Sequence, residues 1–417
     1  MKKIKILMFG WEFPPFSTGG LGTACYGLTK GLVRNGADIT FVLPRSSPEI
    51  KNEDYMKIIS IENFKYKKGK IKFVRVDSIL KPYISSKEYE EKFGLEKFSE
   101  EHRIYGADLF SEVLRYAKHA REIAKSEDFD IIHCHDWLTF LCGIEAKKVA
   151  KRKGKKAPLI VHVHATEFDR TIGNPNRFVY EIEQKGMEEA NYIITVSEYT
   201  KNMILKHYNV SPKKIRVVHN SIDPEFREIK ENFKLKEKYK IVIFLGRITI
   251  QKGPLHFLWI AKKVLEKDKN VRFIVVGSGD MQQYMIEEAA NLGIGDKILF
   301  MDFVSGEDVD KAYKFADVFV MPSISEPFGL AALEAVKNGI PAVVSKQSGV
   351  IEVLRNCLIA DFWDINEMAN KILALLKYTA LKSVLIEEGL NEVKNFSWDI
   401  PAKKCLEIYR KAFEEVS

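Results

Sequence analysis

Residues Met321–Pro341, MPSISEPFGLAALEAVKNGIP, lie between two short apolar runs, Val318–Met321 and Ala342–Val344, and constrain the chain more than any other stretch. A strand stopped at Pro322, a polar loop, a helix and a second strand make a β-α-β unit, the building block of a parallel sheet. The helix is expected to open at Pro327, because the N–H that proline lacks is unbonded in a first turn anyway. Gly329 leaves that turn uncrowded, so the backbone N–H groups of Phe328, Gly329 and Leu330 can face a ligand. A bare helix N-terminus carries unpaired donors and a partial positive charge, which suits phosphate. Glu326 and Glu334 bracket the site, eight residues apart. Carboxylates repel a phosphate unless cations stand near, so these two match hydroxyls better, as on a sugar. On the residues alone, an N-capping acid and a solvated helix glutamate are the plainer account of the pair.

The whole string, P-S-x-x-E-P-F-G-L-x-x-L-E-A, resembles the signature of retaining glycosyltransferases of the glycogen synthase and sucrose synthase type. The resemblance is to the family 4 and 5 enzymes, nearest to archaeal-type glycogen synthases. It implies an α/β chain of the GT-B arrangement: two Rossmann-like domains with parallel sheets facing each other across a cleft. It also implies transfer of glucose from ADP-glucose or UDP-glucose to the growing end of an α-1,4-glucan. Other family-4-like acceptors (fructose phosphate, a mannosyl chain, a lipid-linked sugar) and a nucleotide-sugar-binding protein without turnover stay open as alternatives.

Two domains also follow from size, since 417 residues exceed what one core usually supports. A net charge of +8 with interspersed acids argues against a nucleic-acid binder. The basic runs Lys65–Lys72 and Lys147–Lys156 read as solvated helix ends and loops, so membrane binding is not expected. Five cysteines without a C-x-x-C pair read as reduced core thiols of a cytoplasmic protein. The N-terminal MKKIKILMFG passes straight into Trp11-Glu12-Phe13 with no small-residue cleavage site, which makes it a first strand and not a signal peptide. No apolar run of membrane-spanning length is expected.

In the first half, Ile4–Phe9 reads as a buried strand, and Gly19-Gly20-Leu21-Gly22 opens a helix to about Arg34. EFPPFSTGGLG resembles the opening motif of the same enzymes, with Ser17 where the bacterial and plant synthases carry a donor-binding lysine. Tyr55–Arg75 is basic and irregular, a hairpin or an insertion, and 108–126 is helical by its apolar spacing. Strands end at His133-Cys134-His135-Asp136-Trp137 and at His162-Val163-His164-Ala165. The i and i+2 spacing lets each histidine pair face one ion, but strand ends of parallel units are also where substrate loops gather. HCHDW and VHVHATEFD resemble the family's cleft motifs, which implies that His164 and Asp136 line the donor–acceptor cleft and that His133 and His162 are structural. His219-Asn220-Ser221-Ile222-Asp223 resembles the exit motif of the first domain.

In the second half, Arg247 ends a strand and Lys252 precedes a helix, so the two can converge on one anion. G-R-x-x-x-Q-K-G resembles the family's diphosphate-binding segment. Ser348-Gly349-Val350-Ile351-Glu352 resembles its G-G-x-x-E loop with one glycine lost. The implied layout is an acceptor-side domain over 1–223, a nucleotide-sugar domain over 224–396 and a C-terminal helix over 397–417 crossing back to the first domain. The implied catalytic residues are Glu326, His164, Arg247 and Lys252. Gly19, Gly20, Asp136, Asn220, Phe328, Gly329, Leu330 and Glu334 would bind substrate. No metal or other cofactor is expected, the partners being a nucleotide-sugar donor and a carbohydrate acceptor.

Overall fold

The computed structural model describes residues 3–14, 19–44, 70–76, 107–224, 234–304 and 306–416. Ser17, the segment 55–69 and most of the charged linker after Pro224 lie outside the described residues. Seven strands form the first sheet: β1 (Lys5–Phe9), β2 (Asp38–Pro44), β3 (Lys70–Val76), β4 (Ile131–His135), β5 (Leu159–Val163), β6 (Tyr192–Thr195) and β7 (Ile215–Val217). Six form the second: β8 (Lys240–Leu245), β9 (Val271–Val276), β10 (Ile298–Met301), β11 (Val318–Met321), β12 (Ala342–Ser345) and β13 (Leu358–Ala360). Every pairing is parallel. Strands of Ile, Val, Leu and Phe such as Ile6–Phe9 and Ile241–Phe244 are buried on both faces because helices cover both sides of a parallel sheet.

Strand order explains where the chemistry gathers. The sheets run β3-β2-β1-β4-β5-β6-β7 and β10-β9-β8-β11-β12-β13. Each chain half starts in the middle, builds outward to one edge, then returns and builds the other way. The reversal lies between β1 and β4 in the first sheet and between β8 and β11 in the second. Loops at the carboxyl ends of strands diverge at such a switch point and leave a crevice for ligands. Gly19-Gly20 and His135 flank the first crevice; Arg247, Lys252 and Glu326 flank the second.

The last helix, Asp399–Val416, packs on the first-domain helix Gly20–Arg34. Two glycines make room for it: a Cβ on Gly27 would lie 2.0 Å from the Trp398 ring, and one on Gly31 would lie 2.4 Å from the Trp398 carbonyl. Arg34 Nε donates to Asp399 at 2.9 Å.

Two local expectations change. Residues 70–76, expected to be irregular, form the edge strand β3 in register with β2. The helix expected to begin at Pro327 begins at Leu330 and runs to Lys337. Pro327 stands instead in a bend after a single bridge at Glu326, where the carbonyl of Glu326 accepts from Gly349 N–H at 2.9 Å and that of Phe328 from Val350 N–H at 2.6 Å. Those sheet-like bonds outcompete helix geometry for residues 326–328, and Gly329 at φ 108° makes the turn into the helix.

Candidate active site

Glycine backbones build the floor of the second crevice. A Cβ on Gly277 would lie 2.0 Å from the Gly246 carbonyl, and one on Gly279 would lie 2.2 Å from that of Ile248. The loops after β8 and β9 therefore touch main chain to main chain, with half-buried Arg247 carried between Gly246 and Ile248. Gly253 turns with φ 66°, and a Cβ there would lie 2.1 Å from the Pro322 carbonyl. That close approach lays Lys252 beside the loop after β11.

Lys252 Nζ lies 2.6 Å from Glu326 Oε2, and Ser323 Oγ donates to the same oxygen at 3.1 Å. Two predicted roles thus meet in one ion pair, at a spot where Lys252 is 22 % and Glu326 7 % exposed. Among the predicted donor-binding N–H groups, those of the first helical turn begin at Leu330, while Phe328 is buried and belongs to the bend before it. Glu334 lies further along that helix, half-buried, and its carboxylate accepts from Tyr313 OH at 3.3 Å. Burial holds the Glu334 carboxyl above its ordinary range, against the pull of that hydroxyl.

Across the cleft, Gly20 faces the start of the same helix: its Cβ position is 3.9 Å from Leu330 Cδ1. Gly19 caps the helix that Gly20 opens, and the buried Glu12 carboxylate accepts from Gly22 N–H at 3.0 Å beneath the turn. Asn220 is buried in the segment after β7. His164 keeps partial exposure, with its Nε2 2.9 Å from His135 Nδ1.

Asp136 is turned inward and does not line the cleft. It is 1 % exposed; one oxygen accepts from His164 N–H at 2.7 Å and the other from Arg170 Nη2 at 3.1 Å. Its carboxylate shapes the turn that presents His164. Arg170 in turn lies 3.1 Å from Glu183, and Tyr208 OH donates to Glu183. Burial pushes the Glu183 carboxyl up to about 8, because one guanidinium is shared among several acids in a dry setting.

The strand register places the four histidines in one cluster, with His135 opposite His162. Their rings stack in pairs, His133 on His135 at 4.5 Å and His162 on His164 at 4.3 Å. Burial keeps them neutral, lowering His135 to about 3. Ligand atoms of His133, His135 and His162, and of Cys25, His135 and His164, lie within 4.8 Å of one another. Stacked rings, however, send their in-plane lone pairs alongside each other, so an ion shared by a stacked pair would require the rings to turn.

Several contacts at the cleft were missed from sequence. Ser325 Oγ donates to Asp169 at 2.6 Å and stands 3.0 Å from Tyr199 OH, and Ser197 Oγ donates to the Pro327 carbonyl at 2.5 Å. The only local signal was Ser197 itself, an N-cap residue ahead of the helix Glu198–His207.

Two doubly wound parallel sheets whose switch-point loops meet across a cleft make the GT-B arrangement found among glycosyltransferases. The chain belongs to that class: residues 18–226 match the model of Glycosyltransferase Family 4, and residues 225–392 that of the Glycosyl transferases group 1. It is similar to an uncharacterized glycosyltransferase of Methanocaldococcus jannaschii, 30 % identical over 99 % of both chains. A D-inositol 3-phosphate glycosyltransferase of Salinispora arenicola is 27 % identical over 68 % of this chain and 69 % of its own. Among solved structures, sucrose-phosphate synthase of Thermosynechococcus elongatus superposes with a TM-score of 0.75 at 17 % identity, covering 99 % of this chain and all of that one. Among the described residues, no helix is long and apolar enough to cross a membrane.

Proposed function

We propose that this glycosyltransferase moves glucose, with retention, from ADP-glucose or UDP-glucose to the growing end of an α-1,4-glucan. The observation that carries hexosyl transfer is the Lys252–Glu326 pair at the second switch point, beside the helix that starts at Leu330. A cation and a carboxylate in one crevice are what a diphosphate joined to a sugar requires. In this reading Arg247, Lys252 and the helix N-terminus stabilise the departing diphosphate. Glu326 holds hydroxyls of the transferred sugar, Glu334 the ribose hydroxyls, and His164 orients the sugar from the other domain. Gly19, Gly20 and Asn220 complete the cleft. The bond from the anomeric carbon to the diphosphate oxygen breaks as the acceptor oxygen bonds on the same face, and the acceptor proton passes to the departing phosphate oxygen. Protein cations serve the leaving group, so the step uses no divalent ion.

The glucan acceptor rests on the resemblance of the E-P-F-G-L segment to glycogen synthases. A phosphorylated polyol is the second reading, favoured by the D-inositol 3-phosphate glycosyltransferase among the relatives. The test is nucleoside diphosphate release from a panel of nucleotide sugars with glycogen, inositol phosphate, fructose 6-phosphate or no acceptor, with the product anomer read by NMR. Release stimulated by glycogen, with an α-linked product, is expected. Stimulation by a phosphorylated acceptor alone replaces the first reading with the second.

A further inference from the structure

The loop that carries Glu326 is also held from the first domain, through a contact that the transfer step does not use. Glu352 ends the short turn Gly349–Glu352 after β12 and reaches the helix Glu198–His207 on the other side. One carboxylate oxygen accepts from Glu198 N–H and the other from Tyr199 N–H, each at 2.8 Å. These are the first two N–H groups of a ten-residue helix, which no helical carbonyl can reach. A carboxylate there also meets the positive end of the helix dipole. His219 Nε2 makes a third contact to it at 2.7 Å. Burial opposes the charge on Glu352, but the bonds from His219 and the two N–H groups outweigh it and hold the carboxyl below its ordinary range.

The same helical turn grips the loop beside Glu326. Ser197 Oγ accepts from Thr200 N–H at 2.9 Å and donates to the Pro327 carbonyl at 2.5 Å; Thr200 Oγ1 donates to that carbonyl at 3.2 Å. The seam leaves no room for a side chain, since a Cβ on Gly349 would lie 2.3 Å from the Pro327 carbonyl and 2.5 Å from Ser197 Cβ. Glu352 and Pro327 thus flank one helix start, one holding its N–H groups and the other its hydroxyls.

We propose that Glu352 is a positioning residue for transfer: by capping the helix Glu198–His207 across the cleft, it clasps the domains together and seats the Glu326–Pro327 loop for reaction. The proposal rests on the reading of Glu326 as the residue that holds the transferred sugar. The clasp is made of polar contacts at a helix end, where the N–H groups have no helical partner.

Glu352→Ala is expected to lower kcat at least tenfold, while the Kd of free nucleoside diphosphate, bound by the second domain, moves less than threefold. Glu352→Gln keeps one acceptor oxygen and should recover part of kcat; it also serves if the alanine variant does not fold. Glu198→Pro deletes one clasped N–H at the first helical position, where proline is tolerated. It should lower kcat several-fold on its own and have no further effect on top of Glu352→Ala. Losses that multiply in the double variant overturn the clasp, as does an unchanged kcat in Glu352→Ala. Wild type that binds no nucleoside diphosphate faults the transfer reading, and the clasp is then judged by small-angle scattering. A more extended Glu352→Ala particle supports it, and a profile equal to wild type overturns it.

Discussion

Replacing Glu326 with glutamine should do two opposite things: tighten the nucleoside diphosphate and slow the transfer. In the structure the cation assigned to the diphosphate is already engaged, with Lys252 Nζ 2.6 Å from Glu326 Oε2. A donor must therefore draw Lys252 away from a carboxylate. A hydrogen bond between charged groups contributes about 1.5–3 kcal/mol. Lys252 is 22 % exposed, so solvent screening favours the low end, about 1.5 kcal/mol, a factor of ~10 in binding. Glutamine has the same shape and keeps an acceptor for Ser323 but no charge to hold Lys252. Calorimetry with ADP and UDP should give a Kd about tenfold lower for Glu326→Gln, a gap that narrows as salt rises. Steady-state diphosphate release should show kcat lower by about two orders of magnitude, because contacts to the sugar strengthen as charge develops at the anomeric carbon. Lys252→Ala is the control and should weaken the nucleotide. Unchanged or weaker binding by Glu326→Gln would refute the exchange of Lys252 between carboxylate and diphosphate, and an unchanged kcat would remove Glu326 from the reacting centre.

Glu334→Ala should mainly raise the donor KM and weaken free nucleotide, with kcat little altered; Tyr313→Phe, which removes the hydroxyl 3.3 Å from that carboxylate, should shift KM the same way but less. Turnover should survive EDTA, since the cations of the transfer step belong to the protein; loss of activity restored by a divalent ion would turn attention to the stacked histidines. Glu183 offers a pH test of stability. Its carboxyl is raised from 4.5 to about 8, so the folded protein retains a proton that the unfolded chain releases between those values. That contribution is full below about pH 4.5 and lost as pH rises through about 8, at no more than about 1.4 kcal/mol per pH unit. Melting temperature should fall across that window, and Glu183→Gln should flatten the fall; an identical slope in the variant would place the titration elsewhere.

Local order determined much of this protein before any contact was known. Apolar runs of four to six residues stopped by glycine or proline are buried parallel strands, because only a strand covered on both faces can be apolar at every position, as in Ile6–Phe9 and Val318–Met321. The same reasoning puts Arg247, Lys252, Glu326 and His164 at strand ends, since a βα unit presents its loops at one end, while their roles come from the resemblance of the strings that carry them. The tertiary structure decided what those residues touch. Residues 326–328 stay out of the helix because the loop after β12 supplies hydrogen-bond partners for the Glu326 and Phe328 carbonyls, a competition that proline at 327 does not reveal. Asp136 faces Arg170 because the chain turns there at φ 58°, although its place in the string suggested the cleft. Lys252 meets Glu326 across 74 residues, and Glu352 meets Glu198 across 154. Capping, turn and propensity signals act over a single turn of chain. Contacts of that span follow instead from strand order, from glycines that let two backbones touch, and from the meeting of two domains.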